Sequence, residues 1–310
     1  MRIVSQDSLG GPEVLYLTTA ERPQPGPTEI LVKVQAAGVN PVDWKVRRRG
    51  TVDDDPPPFT LGWDVAGVVE EIGVGVTRFR PGDAVLGMPR FPHLAGAYAE
   101  YVTGPSRHFT RAPAGMAPTD AGGLPLAGLT AWQILVDTAD IRPGQRVLVH
   151  AAAGGVGHLA VQIAKARGAY VLGTASAAKH ELVRGLGADE VIDYRTTEVA
   201  AMGTDLDLVL DLVGGRTALD SLATLRPGGM VAVAVTDPDE RLFAEAERRG
   251  VRVADFLVEP DHAGLAALTD LVERGRLRVL VDTVLPLADA ARAHELSESG
   301  RVSGKIVLVP

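Results

Sequence analysis

The chain has 310 residues, 39 acidic against 31 basic side chains, and a formal net charge of -8. That excess repels phosphate backbones, and no interleaving of aromatic and basic residues offsets it, so no nucleic-acid partner is expected. The chain has no cysteine, which excludes disulfides and every thiolate-based metal site, and its seven histidines form no H-E-x-x-H and no helically spaced pair; no metal is expected.

At roughly 100–200 residues per domain the length suits two domains. No run of about 20 apolar residues occurs and no signal-length apolar stretch follows Met1, so a cytoplasmic protein with no membrane contact is expected. The first 120 residues or so read as short strands punctuated by Gly and Pro. Ile30–Ala36 alternates apolar and polar residues, the period of a half-buried strand. Val65–Ile72, Ala84–Gly87 and Gly96–Val102 read as further strands, and Arg80-Pro-Gly-Asp83 as a tight turn. Two loops, over 50–58 and 88–93, interrupt this region, and loops on a rigid β scaffold commonly form a substrate mouth.

From about residue 125 strands alternate with helices, the grammar of βαβ units and a parallel sheet. Strands are predicted at 146–150, 170–173, 191–193, 206–212, 230–235 and 251–258, with helices at 156–168 and 177–186. Beyond residue 265 come a helix, a strand near 279–284, a helix through Ala290 and a last strand over 305–309.

Ala151-Ala152-Ala-Gly154-Gly155-Val156-Gly157 follows a strand and opens a helix, the setting in which a glycine turn holds a dinucleotide. Gly154 allows close approach of the backbone to the pyrophosphate, Gly157 allows helix to pack on strand, and the helix N-terminus offers N–H groups to the anion. Ala152 stands where the usual first glycine would. An NAD-preferring site would carry an acid about 20 residues on, for the ribose 2′-hydroxyl. Here the chain reads Gly173-Thr174-Ala175-Ser176-Ala-Ala-Lys179, and no Asp or Glu occurs between Gly157 and His180. Ser176 can donate to a 2′-phosphate and Lys179 can supply charge, so NADPH is the expected cofactor.

Taken in order along the whole chain, these segments resemble the zinc-independent medium-chain dehydrogenase/reductase superfamily in its quinone oxidoreductase (zeta-crystallin-like) branch. The markers are Ala37-Gly-Val-Asn40-Pro-Val-Asp43, Gly62-Trp-Asp-Val-Ala-Gly67, Gly73-Val-Gly75 with Pro81-Gly-Asp83, Gly96-Ala-Tyr-Ala-Glu-Tyr101, Gly128-Leu-Thr130, the glycine turn, Leu186-Gly-Ala-Asp189 with Val191-Ile-Asp-Tyr194, and Ser303-Gly-Lys305-Ile-Val-Leu308. The resemblance implies an α/β fold in which a Rossmann doubly wound parallel sheet (125–265) is inserted into a GroES-like β-rich catalytic domain (1–124 and 266–310). Zinc-dependent relatives carry Cys near Val39–Asn40 and Gly-His-Glu where this chain has Gly62-Trp63-Asp64, and Trp63 cannot ligate zinc.

By the same resemblance, Asn40 and Thr130 lie beside the nicotinamide and Tyr194 joins Lys179 near the 2′-phosphate. Val213, Ala234, Phe256, Leu257 and Val258 face the nicotinamide half, since ligands bind at the carboxyl ends of the strands. Thr174 and Lys305 complete the expected cofactor contacts. The catalytic set is Asn40, Trp63 and Thr130, with Asp43 holding the Asn40 loop. Lys45 stands where relatives often have Tyr.

The expected reaction is hydride transfer from NADPH to a small quinone or enone. No metal is available to polarise a simple ketone, and no Tyr has a Lys four positions on to protonate one. A conjugated oxygen needs only a hydrogen bond and water. One alternative is a 2-enoyl thioester reductase in which Arg47, Arg48 and Arg49 meet a phosphorylated carrier, although a solvated helix face is their simpler role. Another is a non-catalytic NADPH sensor or an RNA-binding protein. Relatives form dimers through the edge of the cofactor sheet, so a homodimer using the strand near Val251 is expected.

Overall fold

A computed structural model describes residues 1–235 and 238–310. The chain divides into two compact units, residues 1–129 with 259–275 and 279–310, and residues 130–258 with 276–278. Residues 125–129 and 259–265, expected in the nucleotide-binding part, therefore lie in the first unit.

The chain opens with an antiparallel pair, β1 (Arg2–Gln6) and β2 (Leu15–Thr19). Then follow β3 (Glu29–Val39), helix α1 (Pro41–Arg49), β4 (Val65–Ile72), β5 (Ala84–Gly87), β6 (Tyr101–Pro105), β7 (Phe109–Arg111), α2 (Pro118–Gly122) and α3 (Pro125–Trp132). The strand expected at 96–102 begins only at Tyr101. Gly96 takes φ +72°, and Tyr98 turns wholly inward with its N–H on Leu61 O at 3.0 Å. The second unit contributes β8 (Arg146–Val149), α4 (Gly157–Ala166), β9 (Tyr170–Ala175), α5 (His180–Gly185), β10 (Glu190–Asp193), β11 (Leu206–Asp211), α6 (Arg216–Ser221), β12 (Leu225–Val233), α7 (Arg241–Arg249) and β13 (Arg252–Asp255). The chain then returns to the first unit with α8 (His262–Glu273), β14 (Val281–Pro286), α9 (Ala290–Glu298) and β15 (Lys305–Val309).

In the second unit six strands run in the order β10-β9-β8-β11-β12-β13, and every pairing is parallel. That is the doubly wound order, whose switch point lies between the first strand and the fourth, here β8 and β11. Parallel strands bury both faces, and Val147, Leu148, Val149, Leu208, Val209 and Leu210 are all fully buried.

The first unit is built on a seven-stranded sheet in the order β14-β15-β3-β4-β5-β7, with β6 also on β3. β15 pairs antiparallel with β3, Ile306 opposite Val39 and Leu308 opposite Ala37, so the last strand closes onto the first part of the chain. Close approach explains one glycine here. A Cβ on Gly38 would lie 2.4 Å from Gly122 O and 2.5 Å from an Asp64 carboxylate oxygen. Gly38→Ala is expected to cost about 1–3 kcal/mol through overpacking, read as a lowered melting temperature.

Candidate functional site

In the second unit the carboxyl ends of the strands form one edge, because all six run the same way. Asp193 pairs with Ala175, Val149 with Gly173 and with Leu210, Asp211 with Val233, and Val233 with Asp255. Beyond those ends lie the glycine turn, Ser176, Tyr194, Val213, Ala234, Phe256 and Leu257. Residues spread over more than a hundred positions thus share one edge. Val213, Leu257 and Tyr194 are exposed there, whereas Val258 is buried.

The turn between β8 and α4 is built for a close-lying anion. A Cβ on Gly157 would meet Ala151 O at 2.3 Å, so only glycine fits. Gly154 donates to Ala151 O at 2.8 Å, and the N–H groups of Gly155 and Val156 have no acceptor among the described residues. Two free N–H groups ahead of a helix N-terminus suit a pyrophosphate. Ala152, in the first glycine's place, is fully buried, and its N–H donates to Thr174 O at 2.9 Å. A Cβ at Gly173 would come 2.9 Å from the Ala152 methyl, so glycine on the neighbouring strand leaves room for Ala152 in the turn.

Thr174, expected at the cofactor, braces the turn from within instead. It is buried, and its Oγ1 accepts the Ala151 N–H at 3.2 Å and lies 3.3 Å from His150 Nδ1. His150 Nε2 is 3.0 Å from Ser221 Oγ, which itself donates to Thr217 O at 2.6 Å. Ser221 therefore accepts, the proton sits on Nε2, and Thr174 donates to Nδ1. Burial pushes the His150 pKa down to about 4, consistent with this neutral tautomer.

Ser176 and Lys179 follow β9, and Tyr194 follows β10 with Arg195 stacked 5.7 Å from its ring centre. The sheet also brings an acid to this corner that spacing from the glycine turn does not reveal. Asp193 accepts the Ala177 N–H at 3.2 Å and the Arg195 N–H at 2.9 Å. Thr130 is buried within α3.

In the first unit Asn40 caps α1, and its N–H donates to Asp43 Oδ2 at 2.6 Å. Its side chain turns the other way. Nδ2 donates to Asp64 Oδ2 at 2.8 Å, and Oδ1 accepts from Lys305 Nζ. Lys305 Nζ is 3.3 Å from Asp64 Oδ2, and Asp64 Oδ1 accepts the Leu126 N–H at 2.6 Å. Asp64, Asn40 and Lys305 are no more than 2% exposed. Lys305, expected as a cofactor contact, is thus a buried partner of Asp64 and Asn40. Asp64, which sequence reasoning passed over for its neighbour Trp63, is the residue that gathers these contacts; a lone acid heading the apolar run 65–69 was the available signal.

Trp63 is buried, donates from Nε1 to His93 O at 2.8 Å, and meets Phe91 edge-on at 5.5 Å between ring centres. Its one polar atom is engaged in anchoring the 88–93 loop. His93 Nδ1 lies 2.6 Å from Asp53 Oδ2, which joins that loop to the 50–58 loop. Arg47, expected on a solvated face, is wholly buried: it donates to Gly10 O, to His294 Nδ1 at 3.0 Å and to Glu298 at 2.6 Å. Because Arg47 can only donate, the His294 proton is on Nε2, 3.2 Å from the Tyr98 hydroxyl, which donates to Asp43 at 2.8 Å. Burial, aided by Arg47, pushes His294 down to about 3, and burial raises Asp43 to about 7.

Residues 26–114 match the alcohol dehydrogenase GroES-like domain family and residues 186–308 the zinc-binding dehydrogenase family. The chain is 35% identical over 329 residues to the 2-haloacrylate reductase of Burkholderia sp, covering 97% of this chain and 96% of the relative. The solved quinone oxidoreductase of Coxiella burnetii superposes with TM-score 0.93 at 35% identity, covering 100% of this chain and 99% of the other. The Escherichia coli quinone oxidoreductase complexed with NADPH gives 0.88 at 31% identity, with 100% of both chains covered. Fold and glycine turn define a dinucleotide-binding oxidoreductase. The chain belongs to the medium-chain dehydrogenase/reductase superfamily, in its quinone oxidoreductase branch.

Asp43's raised pKa makes a stability prediction. The fold favours its protonated form, so stability is fully present below the unfolded value of 3.8 and declines as pH rises toward about 7. The full decline is on the order of 4 kcal/mol. Asp43→Asn is expected to flatten that part of the stability profile, measured by urea unfolding between pH 4 and 8.

Proposed function

We propose that the protein is an NADPH-dependent, zinc-independent reductase that transfers hydride to a quinone or an α,β-unsaturated carbonyl compound. The observation that carries this reading is the glycine turn: two unpartnered N–H groups at the carboxyl edge of a doubly wound sheet, at its switch point. The Escherichia coli structure with NADPH and the Burkholderia 2-haloacrylate reductase support cofactor and acceptor class respectively. When bound, NADPH supplies the hydride.

The chain's residues divide the remaining work. Gly155 and Val156 take the pyrophosphate, and Ser176, Lys179 and Tyr194 take the 2′-phosphate. Val213, Ala234, Phe256 and Leu257 flank the nicotinamide half. Asn40 is the acceptor's hydrogen-bond donor, and Thr130 belongs with the nicotinamide contacts. Zinc independence is supported by the donor set: no cysteine, Trp63 in place of a ligand, and an ammonium already on Asp64. The thioester alternative loses its carrier contact at Arg47, which is buried. Among the described residues no helix is long and apolar enough to cross a membrane; a cytoplasmic homodimer, paired through the free edge at β13, completes the reading.

NADPH oxidation, with NADH in parallel, against quinones and 2-haloacrylate tests it. Turnover with NADPH preferred is expected, and NADH preference would remove the roles given to Ser176, Lys179 and Tyr194. Lys179→Ala is expected to raise KM for NADPH about tenfold, the value of one charge-assisted hydrogen bond, and to leave KM for NADH unmoved.

A further inference from the structure

Asn40 is the only asparagine in the chain, and its side chain has one permitted orientation. Its amide has an acceptor oxygen and two donor hydrogens. The oxygen meets the Lys305 ammonium and one hydrogen meets the Asp64 carboxylate. Flipping the amide would set NH2 against a cation and C=O against an anion, in a site where charges are poorly screened. The ion pair therefore fixes the amide. It also polarises it: a cation on Oδ1 draws density from nitrogen and strengthens the N–H groups as donors.

The second Nδ2 hydrogen has no acceptor among the described residues, although Asn40 is only 2% exposed. A buried donor without a partner is costly, and a ligand oxygen would satisfy it.

We propose that Lys305, balanced by Asp64, is a positioning residue that locks Asn40 so that its remaining N–H donates to the acceptor oxygen on which negative charge develops. This rests on the reductase reading above. Hydride adds to the β-carbon of an enone, the C=C electron pair shifts to give an enolate, and water protonates the α-carbon. NADPH leaves as NADP+ and the enone as a saturated carbonyl. Asn40 serves the enolate oxygen, as a metal would in a metal-dependent enzyme, and Lys305 supplies the fixed positive charge without touching substrate.

Protein labelled with 15N in asparagine alone gives a single side-chain NH2 pair. In the wild type two well-separated protons are expected, and 4-nitrophenolate added with NADP+ should shift one of them. In Lys305→Met the pair should converge and ignore the phenolate, and Lys305→Arg should restore part of the separation. In turnover, Lys305→Met and Asn40→Ala should each lower kcat about 100- to 1000-fold, the range of a lost oxyanion donor. The double variant should be no slower than either, and Lys305→Met should leave NADPH affinity by fluorescence unchanged. Because Lys305→Met strands Asp64, the neutral pair Asp64→Asn with Lys305→Gln is measured alongside and should show the same loss.

Additive losses would overturn the proposal, since Lys305 would then act directly. Weakened NADPH binding at unchanged kcat would overturn it too, in favour of a cofactor contact. If the wild type reduces no quinone or enone, the reductase reading falls. The NMR comparison still decides the lock itself: a pair unmoved by Lys305→Met overturns it, and a collapsed pair upholds it.

Discussion

A lysine ammonium and an aspartate carboxylate, both withdrawn from water, hold together stretches of chain that are far apart in sequence. Lys305 opens the last strand, Asp64 precedes β4, Asn40 joins β3 to α1, and Leu126 lies near the start of α3. Desolvating such ions costs several kcal/mol each, so the pair is poor evidence of stability in itself. Its value is specificity. Both oxygens of Asp64 accept, and the three donors, Asn40 Nδ2, Lys305 Nζ and the Leu126 N–H, come from three different parts of the chain. Gly38 belongs to the same constraint, since any side chain there would collide with the carboxylate.

A second polar network lies nearby and differs in kind. From Arg47 through His294 and Tyr98 the hydrogen bonds all point toward Asp43. An arginine cannot give up its proton, so this series does not conduct protons from the surface. It holds α1 against α9 and fixes the angle at which Asn40 leaves β3. Among the described residues the two networks meet at Asn40, whose backbone belongs to one and whose side chain belongs to the other.

The second unit solves a simpler problem. Its sheet is entirely parallel, so the ends that receive a ligand fall on one edge automatically, and local sequence suffices to shape each end. The glycine turn shows how tolerant this is. Ala152 replaces a glycine, and Gly173 on the next strand makes the room back, while His150 and Thr174 brace the loop from behind.

Strands 65–72, 84–87 and 305–309 and the turn at 151–157 were legible because period and backbone requirement act over a few residues. The missing cysteines and the Trp63 substitution likewise bound the chemistry without any structure. Where the side chains go was another matter. Arg47 lies on a run of three arginines that reads as a solvated face, yet it is fully buried, because α9 brings His294 and Glu298 to it from about 250 positions away. Asp193 reaches the Ser176 corner only through the register of β10 on β9. Lys305 reads as one lysine among five, and its burial against Asp64 is set by the pairing of β15 with β3. The sequence by itself determined most of the elements, the glycine turn and the absence of thiolates. Only the tertiary structure decided which charges meet, because a buried charge must find a partner, and that partner is chosen by strand register rather than by neighbours along the chain.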